Sequence, residues 1–266
     1  MPKVFVVDAF ADRRFAGNQA AVCLLDSEAP EDWLQEFAGE MNYSETAYLV
    51  PNGDAYNLRW FTPAYEVDLC GHATLASSHV LWNECGIDDE ELHFETRSGR
   101  LKARRAGSSI QLDFPVTQVN EMALGDELLE CLNLPIAPAF TGRTPFDAFV
   151  ALEDERQVRE LAPDFARLAI VDTRGVIVTA PSEGEHDFIS RFFAPSAGIN
   201  EDPVTGSAHC SLATYWAPKL GRNKLQGYQA SQRGGVVGVE LVGDRVCLSG
   251  EAITIVRGEL AKDACT

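Results

Sequence analysis

The chain repeats itself, and the repeat constrains its fold more than any other feature. Residues 59–76 read RWFTPAYEVDLCGHATLA, and residues 191–213 read RFFAPSAGINEDPVTGSAHCSLA. Each copy opens on Arg, an aromatic residue, Phe, one further residue and Pro. Each then reaches Gly-x-Ala and a helix-like run, with three more residues between Arg and Gly in the second copy. Farther on, TRSGRLKAR from Thr96 parallels SQRGGVVGV from Ser231. The offset, about 135 residues from Gly71 to Gly206, is far longer than a solenoid period. Two ordered matches at similar offsets point to a duplication, and 266 residues are enough for two ordinary domains.

Local patterns give each half the same plan. KVFVVDAF, AAVCLL, TAYLV and YNLRWFT are short runs rich in Val, Phe and Tyr, which favour strands. PEDWLQEFAGEMN spaces Trp33, Phe37 and Met41 four apart on one face, the signature of an amphipathic helix. ATLASSHVLWNECG is apolar or small nearly all round, so it is expected to be a buried helix that stops at Gly86. HFETRSGRLKARRAGSSIQLDFP then reads as strands joined by Gly-containing turns. In the second half FDAFVAL, GVIVTA and FISRFFA are strands, SAHCSLATYWAPKLG is the matching helix, and GGVVGVELVGDRVCLSG is a hairpin turning at Gly243-Asp244. ITIVRGEL makes a last strand. The expected fold is α/β (α+β): two pseudo-symmetric domains, each a curved, mostly antiparallel sheet around one central helix. The first covers 1–117, joined by the tail at about 255–266, and the second covers 118–254, with the active site in the cleft between them.

Charge and composition narrow the partners. A net charge of −18 disfavours nucleic acid, whose phosphates need a basic surface. MPKVFVVDAF is a strand pattern, not a signal peptide, and no window has the roughly 18 unbroken apolar residues of a membrane span. The seven cysteines are scattered without a CxxC pair, which suits free thiols in the cytoplasm and argues against a zinc ribbon. His79, His93, His186 and His209 have no ligand spacing, so no metal and no cofactor are expected.

Both central helices start at a small-residue turn, Cys70-Gly71-His72 and Thr205-Gly206-Ser207. A helix N-terminus presents unpaired N–H groups and a partial positive charge, and glycine lets a ligand come close. Two such ends facing one another would clamp a carboxylate. Glu45, in MNYSETAYLV, is flanked by the hydroxyls of Ser44 and Thr46. Its position fits a solvated turn residue as well as a carboxylate tuned for acid/base work. Asp202 is held extended by Pro203, and either favours the coming helix dipole or faces a ligand. His72 is either a hydrogen-bonded structural residue or part of the clamp.

DAFADRRFAGNQAAVCLL, MNYSETAYL, LRWFTPAYEVDLCGHATLAS, FAPSAGINEDPVTGSAHCSL and SQRGG together resemble the PhzF (phenazine biosynthesis protein) family over essentially the whole chain. The nearest branch is that of the MAWD-binding (PBLD) and YddE-like proteins. The resemblance implies the diaminopimelate epimerase fold, with an active site between two similar domains. It also implies a cofactor-free isomerisation in which a glutamate, here Glu45, is both acid and base. His72, Asp202 and Ser207 fall on the family's supporting residues, Gly71 and Gly206 on its backbone clamp, and Asn18 on a Gly-Asn-Pro turn that has Gln19 here. In the related epimerases two cysteines face each other. Cys70 holds the first of those places and Thr205 the second, so two-thiol racemisation is not expected. Cys70 remains a secondary candidate, since a thiol at a helix N-terminus is activated. The expected substrate is a small carboxylate with an acidic C–H, and the resemblance allows a homodimer. A ligand-binding or interaction protein on an enzyme-derived scaffold, and a racemase using Cys70, are the alternatives.

Overall fold

A computed structural model describes residues 1–134 and 136–261. Cys265 and the end of the expected C-terminal tail lie outside them. Among the described residues the chain divides into two compact units, 1–113 with the segment from 249 onward, and 114–248.

Unit 1 is built from β1 (Lys3–Ala9), β2 (Asn18–Leu24), α1 (Glu31–Met41), β3 (Glu45–Asn52), β4 (Ala55–Phe61), β5 (Glu66–Val67), α2 (Gly71–His79), β6 (Glu91–Thr96), β7 (Gly99–Ala106), β8 (Ser109–Pro115) and the C-terminal strand Ala252–Glu259. That last strand pairs antiparallel with β1, and β1 with β2. β2–β3 and β4–β6 are parallel, whereas β3–β4, β6–β7 and β7–β8 are antiparallel. The curved sheet wraps α2, whose residues from His72 to His79 are all buried. Burial of so many hydroxyls is tolerated because each finds a carbonyl one turn back: Thr74 Oγ1 donates to Cys70, Ser77 to Ala73 and Ser78 to Thr74. The helix continues as a π-helical turn over Val80–Glu84 and ends before Gly86.

α1 packs on the sheet as an amphipathic helix. Leu34 and Ala38 face the sheet beside Cys23, Tyr48 and Phe61. Trp33 and Phe37 stack on each other, centroids 5.5 Å apart, at the margin of that cluster, and Met41 is only half-buried. The small Ala38 lets the helix come close, and the two large rings fill the edge of the seam. β1 and β2 are joined at Gly17, whose φ is +66° and where any Cβ would fall 2.2 Å from the Ala9 carbonyl oxygen. Only glycine fits there, and the turn delivers Asn18 to the start of β2.

Unit 2 follows the same order: β9 (Asn120–Glu121), α3 (Asp126–Cys131), β10 (Phe140–Arg143), β11 (Asp147–Ala151), α4 (Glu155–Glu160), α5 (Phe165–Leu168), β12 (Gly175–Pro181), β13 (Phe188–Ala194), β14 (Ile199–Asp202), α6 (Gly206–Leu220), β15 (Lys224–Gln229), β16 (Gly235–Val242) and β17 (Arg245–Gly250). β11–β12 and β13–β15 are parallel, whereas β10–β11, β12–β13 and β15–β16 are antiparallel, as at the corresponding places of unit 1. Leu128, Leu132, Val158, Leu161 and Leu168 of α3–α5 and their connections pack on Val150, Val178, Ile189 and Phe193 of the sheet.

The repeated Arg is a strut. Arg59 grips Glu66 with Nε at 2.8 Å and Nη2 at 2.6 Å, and Arg191 grips Glu201 with the same two nitrogens at 2.7 and 2.9 Å. Each guanidinium also lies over the Phe two residues on, 5.0 Å from Phe61 and 4.8 Å from Phe193. The fork ties each strand to the segment leading into its central helix. Among the described residues no cysteine is in a disulfide, and no helix is long and apolar enough to cross a membrane.

Candidate functional site

In unit 1 the start of α2, the start of β3 and the start of β2 bring Cys70, Gly71, His72, Glu45 and Asn18 together. Glu45 is the first residue of β3 and pairs with Ala20 in the parallel ladder, which sets its side chain beside the helix. Its Oε2 is 3.2 Å from His72 Nε2. Asn18 is buried; its amide lies 3.3 Å from His72 Nδ1 and its Oδ1 accepts from Ser44 Oγ at 3.3 Å. With its Oδ1 taken by a hydroxyl, Asn18 turns its NH₂ toward the His72 ring. Burial lowers the His72 pKa to about 4, against a smaller opposing effect of a hydrogen bond with the Gln19 backbone. At neutral pH His72 is a neutral imidazole, so its contact with Glu45 is not an ion pair.

Cys70 is buried at the N-cap of α2, with Sγ 3.5 Å from His72 Nδ1. No side chain caps this helix, so the N–H groups after Cys70 are presented without an internal acceptor of that kind. One donor atom each of Glu45, Cys70 and His72 lie within 4.8 Å of one another, close enough to share a metal ion.

In unit 2 Asp202, Gly206 and Ser207 gather at the start of α6. Thr205 is the N-cap, yet its hydroxyl does not cap the helix. It donates instead to Asp202 Oδ2 at 2.5 Å. Asp202 ends β14, extended as its place before Pro203 requires. Gln229, fully buried, holds this turn: its Nε2 donates to the Asp202 carbonyl at 2.7 Å, and its Oε1 accepts from the Thr205 N–H at 2.9 Å. Ser231 Oγ donates to the Pro203 carbonyl, and Ser98 Oγ donates to the Asp68 carbonyl in unit 1, so the parallel noticed between the two later segments is a pair of braces under the helix starts. Gln229 was not marked by the sequence pattern, although it stands two residues before the repeated segment. His79 and His209 are structural: His79 Nε2 meets Thr254 Oγ1 at 2.9 Å, and His209 Nδ1 meets the Thr205 carbonyl at 2.8 Å.

The comparisons with known proteins agree with one another. The family model described as phenazine biosynthesis-like protein (PhzC-PhzF) matches residues 7–258. A Halalkalibacterium halodurans protein named as an uncharacterized isomerase is 50% identical over 260 residues, covering 97% of each chain. The crystal structure of a PhzF-family phenazine biosynthesis protein from Enterococcus faecalis superposes with a TM-score of 0.93 at 41% identity, covering 98% of this chain and 99% of that one. A hydroxyproline epimerase from Agrobacterium vitis shares the fold at 11% identity, with a TM-score of 0.63 over 98% of this chain and 93% of its own. The mixed α/β architecture of curved sheets and few helices is thus that of the PhzF proteins and of proline epimerase-like enzymes. On the family match and these relatives together, the chain belongs to the phenazine biosynthesis-like (PhzC-PhzF) family.

Proposed function

We propose that this protein is a cofactor-independent isomerase or epimerase that moves a proton on a small carboxylate, with Glu45 as the general acid and base. The family and a relative named as an isomerase support the reaction class. One observation carries the residue assignment: the Glu45 carboxylate lies 3.2 Å from the Nε2 of a buried histidine kept neutral, at the uncapped start of a buried helix.

Glu45 takes the proton from an acidic C–H and returns it. A neutral His72 is a poor base and a good donor, so it orients the carboxylate and donates to developing negative charge. The N–H groups at Gly71 and His72 supply the remaining stabilisation of an enolate-like charge. Asn18 holds the His72 ring in place. Asp202, Gly206 and Ser207, from unit 2, are assigned to substrate binding and orientation in the same reading.

Cys70 supports a second reading, because its Sγ is 3.5 Å from His72 Nδ1 and a thiol so placed is a candidate base. Incubation with a carboxylate panel in heavy water separates the readings. C–H exchange that Glu45→Gln abolishes and Cys70→Ser leaves within a few-fold supports the glutamate. The reverse pattern supports a Cys70 racemase. Carboxylate binding without exchange on any compound supports a binding protein.

A further inference from the structure

Unit 2 holds a polar cluster whose chemistry has no place in the proton transfer itself. Asp147, the first residue of β11, is only 2% exposed. Arg174, immediately before β12, forks onto it, Nε to Oδ1 at 2.8 Å and Nη2 to Oδ2 at 2.5 Å. The same Nη2 donates to Ser207 Oγ at 3.1 Å. The guanidinium lies 5.3 Å from the centre of the Phe146 ring and 5.7 Å from that of Phe192. Its side chain is 43% exposed, and its Nη1 donates to none of the described residues. Ser207 accepts from Arg174 and so keeps its own O–H to donate.

The duplication shows what this cluster replaces. Thr46 pairs with Phe61 in unit 1 and Val176 with Phe193 in unit 2, so Gly175 is the counterpart of Glu45 and Arg174 that of Ser44. Gly206-Ser207 corresponds to Gly71-His72. A Cβ at Gly175 would fall 2.3 Å from the Phe192 ring, so a side chain where the acid stands in unit 1 would have to displace that ring. One half therefore sets an acid against its histidine. The other sets a cation against the serine in the histidine's place.

We propose that Arg174 is a substrate-binding, specificity-determining residue: Nη1 and the Ser207 hydroxyl hold the substrate's carboxylate as the free anion, and discriminate against its amide or ester. A guanidinium suits this task because its planar donors match a carboxylate and it stays charged at every working pH. Two aromatic faces and a buried acid fix its plane in advance. The inference deepens the proposed function and rests on the assignment of Ser207 to substrate binding.

The test uses the full chain, with malonate as the probe and malonamide as its neutral counterpart, followed by calorimetry. Malonate is expected to bind the wild type and malonamide not to. Replacing Arg174→Gln together with Asp147→Asn removes the ion pair without stranding a buried charge, and is expected to weaken malonate at least tenfold with an unchanged far-UV spectrum. Where that double variant does not fold, Ser207→Ala decides, since it keeps the Arg174–Asp147 fork and is expected to weaken malonate several-fold. Wild-type binding of malonamide as tight as malonate overturns the proposal, as does malonate affinity within twofold of wild type in the deciding variant. Glu45-dependent exchange whose KM is unmoved by loss of Arg174 also sinks the inference and leaves the isomerase reading standing. Arg174-dependent malonate binding without exchange on any carboxylate does the opposite.

Discussion

Two histidines buried as neutral rings make folding stability depend on pH in a defined window. Burial lowers both His72 and His209 to about 4, whereas an unfolded histidine protonates near its ordinary value of 6.5. Between those values the unfolded chain binds a proton that the folded chain refuses, so stability falls as pH drops through 6.5 and the loss levels off near 4, where the folded rings protonate too. Integrated from pH 7 to pH 5, the loss is about 2 kcal/mol for each ring, hence about 4 kcal/mol for the pair. His79, also lowered by burial, acts in the same direction. Glu84 and Glu91 are held below the usual carboxylate range by arginine partners, so they act at lower pH. His209→Gln isolates one contribution. The variant should be less stable at pH 7, because it gives up the contact with the Thr205 carbonyl, but its loss between pH 7 and pH 5 should be smaller by about 2 kcal/mol. Urea unfolding at a series of pH values, followed by circular dichroism, measures both slopes. A wild-type stability flat from pH 7 to pH 5, or an equal loss in wild type and variant, refutes the reasoning.

Three further outcomes follow from the fold and the site. Arg191→Met strands Glu201 and leaves the Leu161 carbonyl without its donor at 2.6 Å; with the two side chains 11% and 18% exposed, unfolding stability should fall by about 2–4 kcal/mol by denaturant titration. Gly175→Ala drives a methyl into the Phe192 ring and should cost about 1–3 kcal/mol, read as a lowered Tm. Asn18→Ala removes the amide that positions the His72 ring. It should lower kcat for any exchanged carboxylate by about tenfold, with a smaller change in KM.

Much of the architecture was legible because the duplication preserved short, physically constrained segments: the Arg-aromatic-Phe start and the Gly-x-Ala start of each central helix. Those positions tolerate little change, since the Arg forks an acid and the glycine opens a buried helix. The four-residue spacing of Trp33, Phe37 and Met41 marks α1 as amphipathic, but it does not show that the smaller Leu34 and Ala38 lie deepest. Glu45 stood out only through the family resemblance. Nothing in SET distinguishes a solvated acid from one placed against a buried imidazole. Gln229 and the Arg174–Asp147 pair were illegible for a related reason: their partners are 24 to 27 residues away, and a lone Gln or Arg at a strand end has no periodicity.

The central claim is that Glu45 carries the proton. The direct measurement is deuterium incorporation into a turned-over carboxylate in heavy water, followed by proton NMR for wild type, Glu45→Gln and Cys70→Ser. The account predicts loss of at least about a thousandfold for Glu45→Gln, the scale of removing a general acid/base, and retention within a few-fold for Cys70→Ser. Exchange that survives Glu45→Gln and disappears with Cys70→Ser contradicts it.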